Sequence, residues 1–146
     1  GQCSPEEMEW FLSGDLKDPR VIAGVAMEGS YRASFFGNAG YLGVESPLVM
    51  MSGTRGNGGI AGTWQTLQDL PDLGWLELEG GCHDTFGTGI CSSLDSGAAF
   101  QVINAYALAL GRREVLGDAG TETGRVLNPL TALEDFATFQ WSQSTK

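Results

Sequence analysis

The stretch Leu73-Gly74-Trp75-Leu76-Glu77-Leu78-Glu79-Gly80-Gly81-Cys82-His83 decides how the chain folds. A short apolar run stops abruptly at two glycines, a cysteine and a histidine. Such a run, bounded by turn residues, fits a strand covered on both faces, as in a parallel sheet. Two earlier runs have the same form. Val21 to Met27 ends at Glu28-Gly29-Ser30, and Pro47 to Met51 ends at Ser52-Gly53-Thr54. Between the second and third runs, Trp64, Leu67 and Leu70 predict a helix over Ala61 to Leu70. After the third, a loop rich in Gly, Thr and Ser leads to a helix over Ser96 to Arg112. Its residues Ala99, Val102, Ile103, Tyr106 and Leu110 recur at helical spacing, and Arg112 and Arg113 suit the negative end of the helix dipole.

Strands alternating with helices predict an α/β fold with a parallel sheet. Outward from this block, Ser4, Pro5, Glu6 and Glu7 predict a short helix start, with Gly14 ending it. The tail from Gly117 to Lys146 is polar but carries Leu127, Leu130, Leu133, Phe136, Phe139 and Trp141, which predict a terminal strand or hairpin. Three buried-type strands alone leave open edges, a liability that implies a partner.

Composition narrows the function. A net charge of −10 repels phosphate backbones and anionic lipid, so neither nucleic-acid binding nor docking on such lipid is expected. No apolar run is long enough to span a bilayer. With three cysteines, pairing of the neighbouring Cys82 and Cys91 leaves Cys3 to seek a partner outside the chain, which suggests an oxidising compartment. The alternative is three reduced thiols in a cytosolic protein. With no start methionine or signal peptide, the chain is expected to begin after processing or at an engineered cut.

Functional groups in open α/β sheets gather at the carboxyl ends of the strands. Glu28 closes the first run, Ser52 to Asn57 follow the second, and His83 follows the third. His83 is the only histidine in the chain. A loop position just past a strand end suits a cleft better than a core.

The segments Pro47 to Thr54 and Leu76 to His83 resemble the last two core strands of α/β-hydrolases. The nearest groups are the dienelactone-hydrolase-like, polyester-hydrolase and platelet-activating-factor-acetylhydrolase-like esterases. Asp18 to Met27 looks like the preceding strand, and Ala105 to Arg113 with Leu116-Gly117-Asp118 looks like the closing helix. The resemblance implies a parallel-sheet α/β-hydrolase fold, of which this chain supplies the last core strands and the closing helix. Residues 1–118 would form the carboxyl-terminal half of the hydrolase domain, and 119–146 an extension packed on it.

The resemblance also implies a catalytic triad running Ser, acid, His along the chain. His83 would take the serine proton and return it to the leaving alcohol. No Gly-x-Ser-x-Gly occurs, so the nucleophile is expected on a separate amino-terminal chain. Where many members carry an Asp past the second strand, this chain reads Ser52-Gly53-Thr54-Arg55-Gly56-Asn57. Glu28, one strand earlier, is then the expected acid, with Asp84 and Asn57 as weaker alternatives. Phe86, Tyr31 and Phe35 are positioned to line a substrate pocket. Cys82 reads as half of a disulfide pinning the histidine loop, to Cys91 or to a cysteine of the missing half.

No metal is expected, because one histidine and scattered carboxylates do not make a ligand set, and no cofactor either. The resulting expectation is a secreted or periplasmic two-chain esterase acting on a small-molecule, lipid or polymer ester. Its rivals are an inactive hydrolase relative and a self-contained binding module.

Overall fold

The computed structural model describes residues 4–6, 18–28, 45–56, 64, 68, 70, 72–91 and 93–142. Four strands, β1 (Gly24–Met27), β2 (Leu48–Gly53), β3 (Leu73–Leu78) and β4 (Ala137–Trp141), form one sheet in that order. The β1–β2 and β2–β3 pairs are parallel, with Met27 against Met51 and Met51 against Leu76. β4 runs antiparallel to β3, with Phe139 opposite Leu76. The sheet is therefore α/β-like and mixed: the expected parallel sense holds for β1 to β3, and the tail strand joins antiparallel. The terminal strand expected in the tail exists, and its antiparallel entry closes the β3 edge.

Side chains alternate between the faces of the sheet. On one face Val49, Met51, Leu76, Leu78, Ala137 and Phe139 meet Ala99, Val102, Ile103, Tyr106 and Leu110 of helix α1 (Ser96–Leu116). Full burial of each large apolar side chain contributes about 1.5–3 kcal/mol before conformational entropy is set against it. The opposite face holds a smaller cluster of Met50, Trp64, Leu73 and Trp75. The rings of Trp64 and Trp75 lie 5.6 Å apart, and the Trp75 indole N–H donates to Ser52 Oγ at 2.8 Å. Of the helix expected over 61–70, Trp64 is helical and its carbonyl accepts from the Gln68 N–H at 2.8 Å. Of the one expected at the chain start, Pro5 and Glu6 are helical; the rest of it lies outside the described residues.

Helix α1 starts at Asp95, whose Oδ1 accepts from the Ala98 N–H at 2.8 Å. It runs one turn past the expected Arg112 and stops at Gly117, whose φ of 63° suits a residue without a Cβ. A second helix, α2 (Thr121–Val126), forms in the polar tail, where the sequence pattern does not predict one. The Asp118 carboxylate builds the junction, accepting from the Gly120 N–H at 2.8 Å, the Thr123 hydroxyl at 2.9 Å and Arg112 Nε at 2.7 Å.

The first apolar run departs most from expectation. Only Gly24–Met27 of it is strand. Val21 (58%), Ile22 (46%), Val25 (36%) and Met27 (41%) are all substantially exposed. The expectation of a strand buried on both faces is corrected: β1 is an outer strand pairing with β2 alone among the described residues, and the cover of α1 gives out there.

Candidate functional site

Parallel pairing places the carboxyl ends of β1, β2 and β3 along one margin of the sheet. Glu28 leaves β1 there, Gly53 to Gly56 leave β2, and Glu79 to His83 leave β3. The β2 and β3 exits are stitched together. Thr54 N–H donates to the Leu78 carbonyl at 3.1 Å, Arg55 N–H to the Gly81 carbonyl at 2.8 Å, and Gly80 N–H to Thr54 Oγ1 at 2.9 Å. The backbones pass so closely that a Cβ at Gly53 would collide with the Gly81 carbonyl group. Gly53 is thus needed for the approach, not merely for a turn.

Beyond this contact lies a short 3-10 helix, His83–Phe86. Thr85 and Phe86 are buried, whereas His83 and Asp84 are exposed. The Cys82 N–H donates to Thr85 Oγ1 at 3.0 Å, and Cys82 pairs with Cys91 in a disulfide with a Cα separation of 6.0 Å. The internal pairing is thereby settled, and it indicates an oxidising environment. The imidazole of His83 therefore sits at the sheet margin on a turn anchored at both ends. Phe86, expected to line a pocket, belongs to the larger core cluster beneath that turn.

Glu28 occupies the corresponding place on β1 in a left-handed conformation, with φ 48°. A non-glycine residue held there is uncommon and calls for local compensation. The compensation is visible. Its N–H donates to the Met51 carbonyl at 2.8 Å, and its Oε1 accepts from the Gly53 N–H at 2.5 Å. The carboxylate also fills the space a side chain at Gly56 would need. No hydrogen bond or ion pair joins Glu28 to His83. Adjacent strands lie about 4.8 Å apart, so β1 and β3 are separated by roughly 10 Å across β2. Asp84 is exposed beside His83, also without a bond to it. Tyr31, Phe35, Asn57 and Cys3 lie outside the described residues.

Sequence reasoning misses Arg55. Arg20, Arg112, Arg113 and Arg125 each pair with a carboxylate, of Asp18, Asp118, Glu114 and Glu122 respectively. Arg55 alone among the described arginines has no such partner, and it is exposed on the β2 exit. The signal for it is an arginine just past a strand end in a chain of charge −10. Another titratable group, Glu77 on β3, has its carboxyl pushed up by burial.

No cluster of three metal-ligating side chains occurs among the described residues. None of their helices is long and apolar enough to cross a membrane. An open groove of about 320 Å³ runs between α1 and α2, lined by Leu108, Ala109, Arg112 and Val126, and is bordered by neither His83 nor Glu28. No family model matches the chain, and no curated protein does.

Proposed function

We propose that the chain is the carboxyl-terminal half of a secreted or periplasmic serine esterase with an α/β-hydrolase fold. The nucleophilic serine lies on a separate amino-terminal chain. The observation that carries this reading is the placement of His83. A lone, exposed imidazole stands at the carboxyl margin of parallel strands, on a turn held by a disulfide on one side and buried residues on the other.

An imidazole so placed can take a proton from a serine hydroxyl as that oxygen attacks an ester carbonyl. It then hands the proton to the departing alcohol, leaving an acyl-enzyme. In the second half-reaction it activates water in the same way. Glu28 is the acid of this reading. Its Oε1 accepts from the Gly53 N–H, so the carboxylate would have to leave that contact to reach the imidazole across β2 once the two halves assemble. Tyr31 and Phe35 are the substrate-lining residues of this reading, while Phe86 supports the histidine turn from the core. The exposed face of β1 also favours the reading, since Val25 and Met27 present apolar surface that a covering element of a second chain would bury.

An inactive relative is the second reading, favoured by one observation: the Glu28 carboxylate is spent on a backbone N–H of β2 rather than on His83. Hydrolysis of p-nitrophenyl butyrate by the chain, isolated with its bound partners, separates the two. Active preparations are expected to lose about 10³-fold or more of kcat on His83→Ala. Turnover indifferent to that substitution would leave the inactive relative. Intact mass under native and then denaturing, reducing conditions should reveal a second polypeptide carrying Gly-x-Ser-x-Gly.

A further inference from the structure

We infer that the Cys82–Cys91 disulfide is a positioning device for the His83 imidazole, which makes the placement of that ring depend on the redox state of one bond. The inference rests on the esterase reading for its catalytic meaning, but not for its structural content.

The segment 87–91 holds both neighbours of His83. On one side, Cys82 is bonded to Cys91 nine residues on. On the other, the Asp84 carbonyl accepts from the N–H groups of Gly87 (3.2 Å), Thr88 (2.9 Å) and Gly89 (2.9 Å). The His83 side chain makes no hydrogen bond among the described residues. Its orientation is set by what holds positions 82 and 84. Apart from these ties the segment is anchored only at Gly89, which is buried against Ser96 and Phe100 of α1; Gly87, Thr88 and Ile90 are exposed, and Ile90 is 75% accessible. Neither cysteine belongs to either core cluster. Breaking the disulfide therefore frees the segment without opening the sheet or α1.

A dithiol reductant is the agent the chemistry calls for. Its thiolate attacks one sulfur of the bond, and the other leaves as a thiolate and takes a proton. The second thiol of the reductant then displaces the mixed disulfide. Two electrons and two protons pass to the protein, and the reductant closes to its own cyclic disulfide. With the tie gone, the three N–H bonds to Asp84 no longer restrain a closed loop, and the 3-10 turn holds His83 through Thr85, Phe86 and the Gly89 contact to α1 alone.

Because the chain has a single histidine, NMR of the labelled full chain reads this ring and its backbone without ambiguity. In the oxidised protein the amide order parameters of His83 and Asp84 are expected near about 0.85. In dithiothreitol, or in the Cys82→Ser/Cys91→Ser variant, they are expected to fall below about 0.6 while β2, β3 and α1 keep theirs. Reoxidation restores the first state. Unchanged order at His83 overturns the inference. So does collapse of the whole spectrum on reduction, because the bond would then serve the fold and not the ring. In the assembled enzyme, reduction should lower kcat by at least about tenfold with little change in KM, as misplacement of a reacting group does. Turnover that needs His83 yet ignores dithiol overturns the positioning role and leaves the esterase standing. Redox-dependent order at His83 with no His83-dependent turnover sustains the positioning device and removes the esterase.

Discussion

The two edges of the sheet are finished differently. At β4, Trp141 lies over Gly74, where a Cβ would come within 2.6 Å of its ring, and the Arg113 guanidinium stacks on it at 4.4 Å. Phe139 packs on Tyr106 at 4.6 Å between ring centres. Ser142 completes the margin, its Oγ accepting from the Leu73 N–H at 2.9 Å and donating to the Leu70 carbonyl at 2.5 Å. At β1, four large apolar residues of one seven-residue run are exposed. One edge is sealed by aromatic packing and a short antiparallel strand, while the other carries the sequence of a buried strand without the burial. The contrast teaches that a buried-type pattern reports what a strand is suited to, not what covers it.

Paired truncations test the contrast most severely. Leu76→Ala, at a position with no exposure in the middle of β3, is expected to cost about 2–5 kcal/mol in urea unfolding, from lost burial and the cavity left behind. Val25→Ala on β1 should cost under about 1 kcal/mol in the chain alone. Equal losses would mean that β1 is as well packed as β3, and the contrast would fail. A Val25 loss that grows once a partner chain is bound would sharpen it.

Gly53 links the two halves of the candidate margin. Gly53→Ala forces a Cβ into the Gly81 carbonyl group, so the β2 and β3 exits must part. A cost of about 1–3 kcal/mol is expected, as for other overpacked sites. The Glu28 contact to the Gly53 N–H should loosen as well. Chemical-shift changes confined to 28, 53–56 and 80–84 would confirm that the margin is one unit, whereas changes limited to β2 would divide it.

The sequence is most readable where pattern and burial coincide. The apolar runs of β2 and β3 and the spacing of Val102, Tyr106 and Leu110 foretell the two central strands and α1, because the strands are covered on both faces and the helix buries the face its period predicts. Cys82 and His83 are legible on other grounds: rare residues just past a strand end mark a margin. The antiparallel sense of β4 is not legible, since the alternation Ala137, Phe139, Trp141 fixes a face but no direction. The exposure of β1 is hidden because Val21 to Met27 would read the same with or without a covering strand. The bond from Gly53 to Glu28 is hidden too, because a carboxylate cap on a neighbouring strand leaves no trace in spacing.

A smaller effect is expected on the sealed side. The Tyr106 hydroxyl is buried with no hydrogen-bond partner among the described residues. Tyr106→Phe removes that unsatisfied group while keeping the ring on Phe139, so a gain of about 1 kcal/mol is expected in urea unfolding. Burial pushes the Tyr106 phenol up to about 12 from 10.0, against the opposing charge of Arg125. A raised folded-state value means that this contribution is intact below pH 10 and is lost as pH climbs towards 12. The Phe variant should therefore lose less stability than the wild type across that interval. A destabilised variant would instead point to a water holding the hydroxyl.

The smallest effect is expected where α1 meets α2. The Asp118 carboxyl is held below its ordinary value, chiefly by the Gly120 N–H and then by the Arg112 guanidinium and the Thr123 hydroxyl. A depressed folded-state value fixes the sign. The stabilisation is present above the unfolded value of 3.8 and fades as pH falls through the lower folded one. Asp118→Asn keeps the shape but not the charge, so the melting temperatures of wild type and variant should differ at neutral pH and converge in acid, once the carboxyl is protonated in both states. The group is at the surface and screened, so the gap should also narrow in high salt. If the gap persists in acid, the carboxylate holds α2 through shape alone. The junction would then be set by the geometry of Gly117 and Gly120 and not by charge.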